Sequence, residues 1–351
     1  MFLFRSQNIK SYLFAFFIGI ASALIAFIIK MPLPWIIGPM VGCALLNSLG
    51  IARLQCSFKL KKITTLVLGV LLGSRFTSDF FHLNIDWFLS SCAVLIYVVL
   101  TTSIIQFLYR RIGKYDQATA YFAAAPGGLS EMVLAGSYAG ADERIIAFNH
   151  ALRIFIIVLI LSFGFRIFGG YHPPVGITIF NTIDLSIKDW FILISCGFIG
   201  WFIAWKFNIP SGNLICPLLC SAFVHIIGLT QSYPPTILII FAQIIVGISI
   251  GCRFHKEEKI NLYHHFVLAL IAIGILLFFS LTFAYILSVL NVQKFSTAFL
   301  AFSPAGLTEM SLIALTLGMD STFIVFFHLI RIFCVVIGVP LFFQKYLHKK
   351  N

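Results

Sequence analysis

The chain has 351 residues, of which 60% are hydrophobic, 16% aromatic and only 10% charged, with a mean hydropathy of +1.02. A soluble domain carries roughly 25% charged residues, so an aqueous globule of this size could not hide so many apolar side chains, and the same hydrophobicity excludes disorder. The 24 Lys and Arg against 12 Asp and Glu give a net charge of +12. Most of these basic residues stand in short loops between apolar segments, where they orient a membrane protein. No polar stretch is long enough to fold a DNA-reading helix-turn-helix, so nucleic acid is not an expected partner.

In chain order, the apolar segments lie near 11–29, 33–52, 63–74, 87–109, 117–140 and 145–168, then near 188–206, 211–230, 237–252, 262–290, 295–318 and 322–344. Most reach the roughly 20 residues that a spanning helix needs, so the expected fold is an all-α polytopic membrane protein. The first segment imitates a signal peptide, down to Ala21-Ser22-Ala23, but its apolar run continues to Ile29 and favours a retained helix. The third carries Gly69-x-x-x-Gly73, echoed by Gly247-x-x-x-Gly251, a spacing that lets helix backbones approach closely. The fifth is interrupted by Pro126-Gly127-Gly128 and the eleventh by Pro304-Ala305-Gly306, which removes a backbone donor and adds flexibility at one point.

Sliding the sequence against itself by 178 residues pairs Pro126-Gly127-Gly128-Leu129-Ser130-Glu131-Met132 with Pro304-Ala305-Gly306-Leu307-Thr308-Glu309-Met310. The same offset pairs Gly140 and Asp142 with Gly318 and Asp320, His150 and Arg153 with His328 and Arg331, and Gly19 with Gly197. It also pairs Gly69, Gly73, Arg75 and Phe76 with Gly247, Gly251, Arg253 and Phe254. The chain therefore reads as two homologous membrane units, 1–175 and 176–351.

Charge placement bears on topology. If all twelve segments cross, Lys and Arg divide 15 inside against 7 outside, with the N-terminus inside. If the two interrupted segments re-enter on one side, the division is 17 against 5, which follows the positive-inside rule better. That arrangement leaves five crossings per half, inverts the second half relative to the first, and puts both termini in the cytoplasm. Inverted repeats with interrupted helices are a recurring architecture of secondary transporters.

The residues at the breaks stand at apolar depth, where ionisable groups usually face a cavity or a partner. Candidate substrate- or ion-binding residues are Pro126, Gly127, Gly128, Ser130, Glu131, His150 and Arg153, with Pro304, Gly306, Thr308, Glu309, His328 and Arg331 as their counterparts. Each glutamate opens a half-helix, whose positive dipole end favours a carboxylate, and Ser130 is placed to cap that start. Two roles are open: the Glu and Arg sets line a shared site, or Glu131 pairs with Arg153 and Glu309 with Arg331 to pin each interrupted segment. The pH-sensitive member is expected to be a histidine, because His titrates near neutrality whereas a helix N-terminus keeps a carboxylate ionised.

Other features read as structural. Arg75 and Arg253 are expected to snorkel to the interface, and residues 255–259 with His264-His265 to form a solvated loop. The eight cysteines form no C-x-x-C pair and read as packing residues, and the nine histidines form no metal-ligand cluster, so no cofactor, metal or catalytic residue is expected.

The duplicated P-G-G-L-S-E-M and H-x-x-R pattern, with the proline-rich Pro34-Trp35-Ile36-Ile37-Gly38-Pro39 start of the second helix, resembles the AbrB family of duplicated bacterial membrane proteins over essentially the whole chain. The second copy departs at Ala305 for Gly127. The resemblance implies a bacterial inner-membrane protein and brings two labels, ammonia monooxygenase and regulator of gene expression; neither follows from the residues. The expected function is an ion- or proton-coupled secondary transporter or exporter of a small solute. The alternatives are a membrane-embedded regulatory or sensory protein and, third, an intramembrane enzyme. Lipid and a small solute are the expected partners, with a homo-oligomer left open. No phosphate-binding loop of the G-x-x-x-x-G-K-[ST] kind is present to bind ATP.

Overall fold

A computed structural model describes residues 9–76, 85–168, 186–254, 262–343 and 345; residues 255–259 lie outside them. The described residues form fourteen helices and no strand. The first seven are α1 (Ile9–Ile28), α2 (Pro34–Ser48), α3 (Phe58–Gly73), α4 (Ile85–Arg111), α5 (Gln117–Ala124), α6 (Leu129–Tyr138) and α7 (Glu143–Phe168). The second seven are α8 (Ile187–Lys206), α9 (Gly212–Ile226), α10 (Thr236–Gly251), α11 (Leu262–Val289), α12 (Phe295–Phe302), α13 (Leu307–Thr316) and α14 (Ser321–Phe342). Six of them (α1, α4, α7, α8, α11 and α14) are long and apolar enough to cross a membrane. Together they make a polytopic membrane protein whose exposed surface is rich in Phe, Ile and Leu. His264 and His265 belong to α11 and not to a loop; Tyr115 meets His265 Nδ1 at 2.6 Å.

The helices pack as two bundles. In one, α1 to α3 interlock with α8 to α10: α3 lies on α9, and α10 lies on α2. The glycine spacings explain the crossing. A Cβ added at Gly69 would lie 2.5 Å from the Leu214 carbonyl of α9, and one at Gly247 2.5 Å from the Ile36 carbonyl of α2. Only a hydrogen fits at such backbone approach. The Ser221 hydroxyl adds a bond to the Val70 carbonyl at 2.8 Å. Both contacts tie a helix from 1–175 to one from 176–351, so neither triplet stands alone.

The second bundle holds the largest apolar core, drawn chiefly from α4, α5, α7, α11, α12 and α14. Polar side chains tie it internally: Tyr97 to Ser280 at 3.1 Å between α4 and α11, and Tyr109 to Asn149 at 2.9 Å between α4 and α7. The bundles meet where α7 touches α2 and α10, where α13 touches α3 and α10, and where α14 touches α3.

The interrupted segments are helix pairs split at residues 125–128 and 303–306. The first pair is a hairpin. At its base the Asp142 N–H, just past α6, donates to Thr119 Oγ1 in the first turn of α5 at 2.8 Å. At mid-length, a Cβ on Gly136 of α6 would lie 3.5 Å from Phe122 Cβ of α5. The chain thus goes in and returns to its starting level. On a cysteine-free background, single cysteines replacing Lys114 and Asp142 are expected to react with an impermeant reagent from the same side of the membrane; labelling from opposite sides would contradict the hairpin.

Candidate functional site

A broken helix in a membrane leaves two sets of unpaired backbone groups, carbonyls at the end of the first half and N–H groups at the start of the second. Different residues meet the two sets. On the carbonyl side, Arg153 donates to Ala125 O at 3.3 Å and Gly127 O at 3.0 Å, and His150 Nε2 stands 3.0 Å from Phe122 O. The second break repeats this: Arg331 donates to Ser303 O at 2.6 Å and Ala305 O at 2.5 Å, and His328 Nε2 stands 3.0 Å from Leu300 O. All four side chains are buried, and each guanidinium sits at the negative end of a half-helix.

On the N–H side, Glu131 and Glu309 fall in the first turns of α6 and α13, at the positive ends. Each carboxylate curls back over its own N-cap glycine, so a Cβ on Gly128 or Gly306 would collide with it. The caps are these glycines. Ser130 already lies in the first turn, exposed, and does not cap the helix. The carboxylates take hydroxyl partners: Ser211, which precedes α9 in a left-handed conformation (φ 53°), donates to Glu131, and Thr308 donates to Glu309 Oε2 at 2.8 Å. Among the described residues no guanidinium hydrogen-bonds either glutamate. The alternative in which Glu131 pairs with Arg153 and Glu309 with Arg331 is therefore not met, because each charge answers a different helix end on a different side of the break.

The N–H side faces a cavity of about 280 Å³ between the two bundles. Gly127, Gly128, Ser130 and Glu131 line it from one hairpin, and Gly306, Thr308 and Glu309 from the other. Of the remaining sequence candidates, Pro126 and Pro304 are buried in the breaks, and His150, Arg153, His328 and Arg331 lie behind them. The opposite wall comes from α3, α9 and α10 and brings Lys61, Thr64, Ser211 and Arg253, none of them sequence candidates. Lys61 escaped notice because the third segment was expected to begin at 63; α3 begins at Phe58, and a lysine in a first turn reads like an orienting loop charge. Arg253 is corrected outright: it does not snorkel but lines the cavity, within the electrostatic reach of both glutamates. Arg75, its counterpart by offset, instead lies 4.5 Å from the Tyr233 ring centroid. A larger groove of about 570 Å³ between α3 and α8 has an apolar lining, apart from Lys59 and Lys62.

The family described as "Transition state regulatory protein AbrB" matches residues 35–346. The chain belongs to the AbrB family. It is 24% identical over 372 residues to "Uncharacterized protein YhjN" of Bacillus subtilis (strain 168), covering 98% of this chain and 95% of that one. It is 25% identical over 324 residues to "Putative regulator AbrB" of Escherichia coli (strain K12), covering 89% of each.

In this AbrB-family chain His328 does not suit the pH-sensitive role expected of it, whereas the buried Nδ1 of His150 has no hydrogen-bond partner. A carbonyl can only accept, so Nε2 of His150 and His328 carries the proton. His328 Nδ1 lies 2.7 Å from Arg331 Nη2, and since arginine only donates, Nδ1 must keep its lone pair. A second proton there would face a guanidinium N–H. The histidines hold the hairpins, and the glutamates are the carboxyl groups on the cavity wall.

This division predicts separable mutant effects. Arg153→Met or Arg331→Met strands two buried carbonyls and should cost on the order of 3 kcal/mol, read as a clear fall in melting temperature in detergent. Glu131→Gln and Glu309→Gln, which keep their hydroxyl partners, should melt close to wild type. Equal losses in both sets would restore the Glu–Arg pairing.

Proposed function

We propose that this protein is a secondary transporter that carries a small solute through the cavity between its two bundles, with Glu131 and Glu309 taking up the coupling protons. One observation carries the reading: both interrupted hairpins, 178 residues apart in sequence, deliver a first-turn glutamate to the same cavity. Binding sites of secondary transporters are commonly built from half-helix ends at the junction of two structural units, and alternating access follows from rocking one unit against the other. In this reading the halves 1–175 and 176–351 are inverted repeats, supported by the recurrence of the His and Arg bonds at both breaks. The protein would sit in the bacterial inner membrane with both termini cytoplasmic, as its loop charges favour, and would carry its solute without transforming it.

A second reading is a membrane-embedded sensor that influences gene expression indirectly. Its support is the regulator name of the Escherichia coli relative. Solute flux in liposomes holding the purified protein separates the two, since a sensor binds without net movement.

Proton coupling through the glutamates has a specific signature. The charged groups on the opposite wall are Lys61, Lys62 and Arg253, of which Lys61 and Arg253 are each in electrostatic reach of both glutamates, and Arg331 reaches Glu309 from α14. The two glutamates are the carboxyl groups on the cavity wall, and this reading assigns the proton to them. Glu131→Gln with Glu309→Gln should flatten the pH dependence of transport while leaving downhill exchange measurable. His150→Gln and His328→Gln should lower protein abundance and leave the pH profile of the surviving protein unchanged. A profile altered by the histidine variants alone would overturn the assignment.

A further inference from the structure

The cavity has an imbalance that bears on what it binds. Its acceptors each have a donor: Glu131 receives the Ser211 hydroxyl, Glu309 receives that of Thr308, and both fold over helix N-termini. Among the described residues, by contrast, neither the Lys61 ammonium nor the Arg253 guanidinium has a hydrogen-bond partner, although both feel the glutamates electrostatically. Thr64, one turn beyond Lys61 on α3, is 2% exposed, lines the cavity, and leaves its buried Oγ1 without a partner. A buried hydroxyl without a partner costs about 1–3 kcal/mol. Three donor residues on one wall thus line a space that also receives the N-terminal ends of α6 and α13.

We propose that this cavity is a binding site for a small oxyanion, a carboxylate or a phosphate, clamped by Lys61, Arg253 and Thr64. Lysine and arginine bind such groups through charge-assisted bonds, and helix N-termini favour them further. A cation would face three positive side chains, Lys61, Lys62 and Arg253, on the wall opposite the carboxylates. The volume of about 280 Å³ falls just below the roughly 300–1,000 Å³ usual for drug-sized ligands, so the anion is small. The clamp exists once. The offset that pairs the hairpins pairs Lys61 with Ile239 and Thr64 with Ala242, so the donor set does not recur in the second half.

The identity of the anion as the carried solute rests on the transport reading; its binding does not. The test uses the purified full chain in detergent, titrated calorimetrically and melted with sodium succinate, sodium phosphate, succinamide and choline chloride at constant ionic strength. Succinate or phosphate should bind and raise the melting temperature, and whichever arm does so names the head group. Succinamide, the uncharged analogue, and choline should not. Lys61→Met and Arg253→Gln should each weaken the anion at least about tenfold, equivalent to roughly 1.4 kcal/mol, and Thr64→Val should weaken it less. Lys61→Arg should retain binding, and Arg111→Gln, beside the Phe107 ring, should bind as wild type. If Lys61→Met does not fold by gel filtration, the isosteric Thr64→Val carries the test. No binding of either anion to the wild type, equal binding of succinamide or choline, or unweakened binding by folded variants would overturn the proposal. Anion binding without flux in liposomes would uphold the site and contradict transport.

Discussion

The structure depends on how a membrane protein meets the backbone of a helix that stops halfway. Each break exposes carbonyls on one side and N–H groups on the other, and hydrocarbon offers neither a partner. Arg153 and Arg331 fill the first need from α7 and α14, with His150 and His328 one turn earlier on the same helices. Once the carbonyl ends are fixed in protein, the N–H ends are free to face a cavity, and a glutamate in each first turn follows from the positive field there. The buried arginine and the cavity glutamate are therefore two answers to one interruption, which is why they stand near each other without pairing.

The interlocked bundle supplies the rest of the site. Close backbone contact at Gly69 and Gly247 brings α3 and α10 across to helices of the other half. The same crossing sets the first turn of α3 and the end of α10 opposite the hairpin tips, so Lys61, Thr64 and Arg253 reach the cavity as a consequence of small residues a few turns away. The wall they form and the wall the hairpins form belong to different bundles. A ligand held between them would sense any relative movement of the two.

Much of this was legible in the sequence. Composition and segment length predict a polytopic helical protein, and the proline and glycine runs locate both breaks to within a residue or two of 125–128 and 303–306. The pairing of His and Arg three residues apart was readable because both face one neighbour across a helical turn. What escaped the sequence was long-range partnership. Glu131 and Arg153 invite pairing by charge, and only the geometry of the break shows that the guanidinium is already taken by Ala125 and Gly127. Lys61 and Arg253 look like any basic residue at the end of an apolar segment, since nothing local separates a lysine facing headgroups from one facing a cavity. Ser130 matches a capping pattern, but the cap is Gly128, two residues earlier than that pattern implies.

The central claim is that the cavity between the bundles communicates with each side of the membrane in turn. Ser130, exposed at the cavity wall on the first turn of α6, is the position to interrogate. On a cysteine-free background in oriented membrane vesicles, Ser130→Cys should react with a small impermeant thiol reagent applied from either side, and a bound anion should slow both reactions. Reaction from one side only, under every condition of pH and anion, would contradict alternating access.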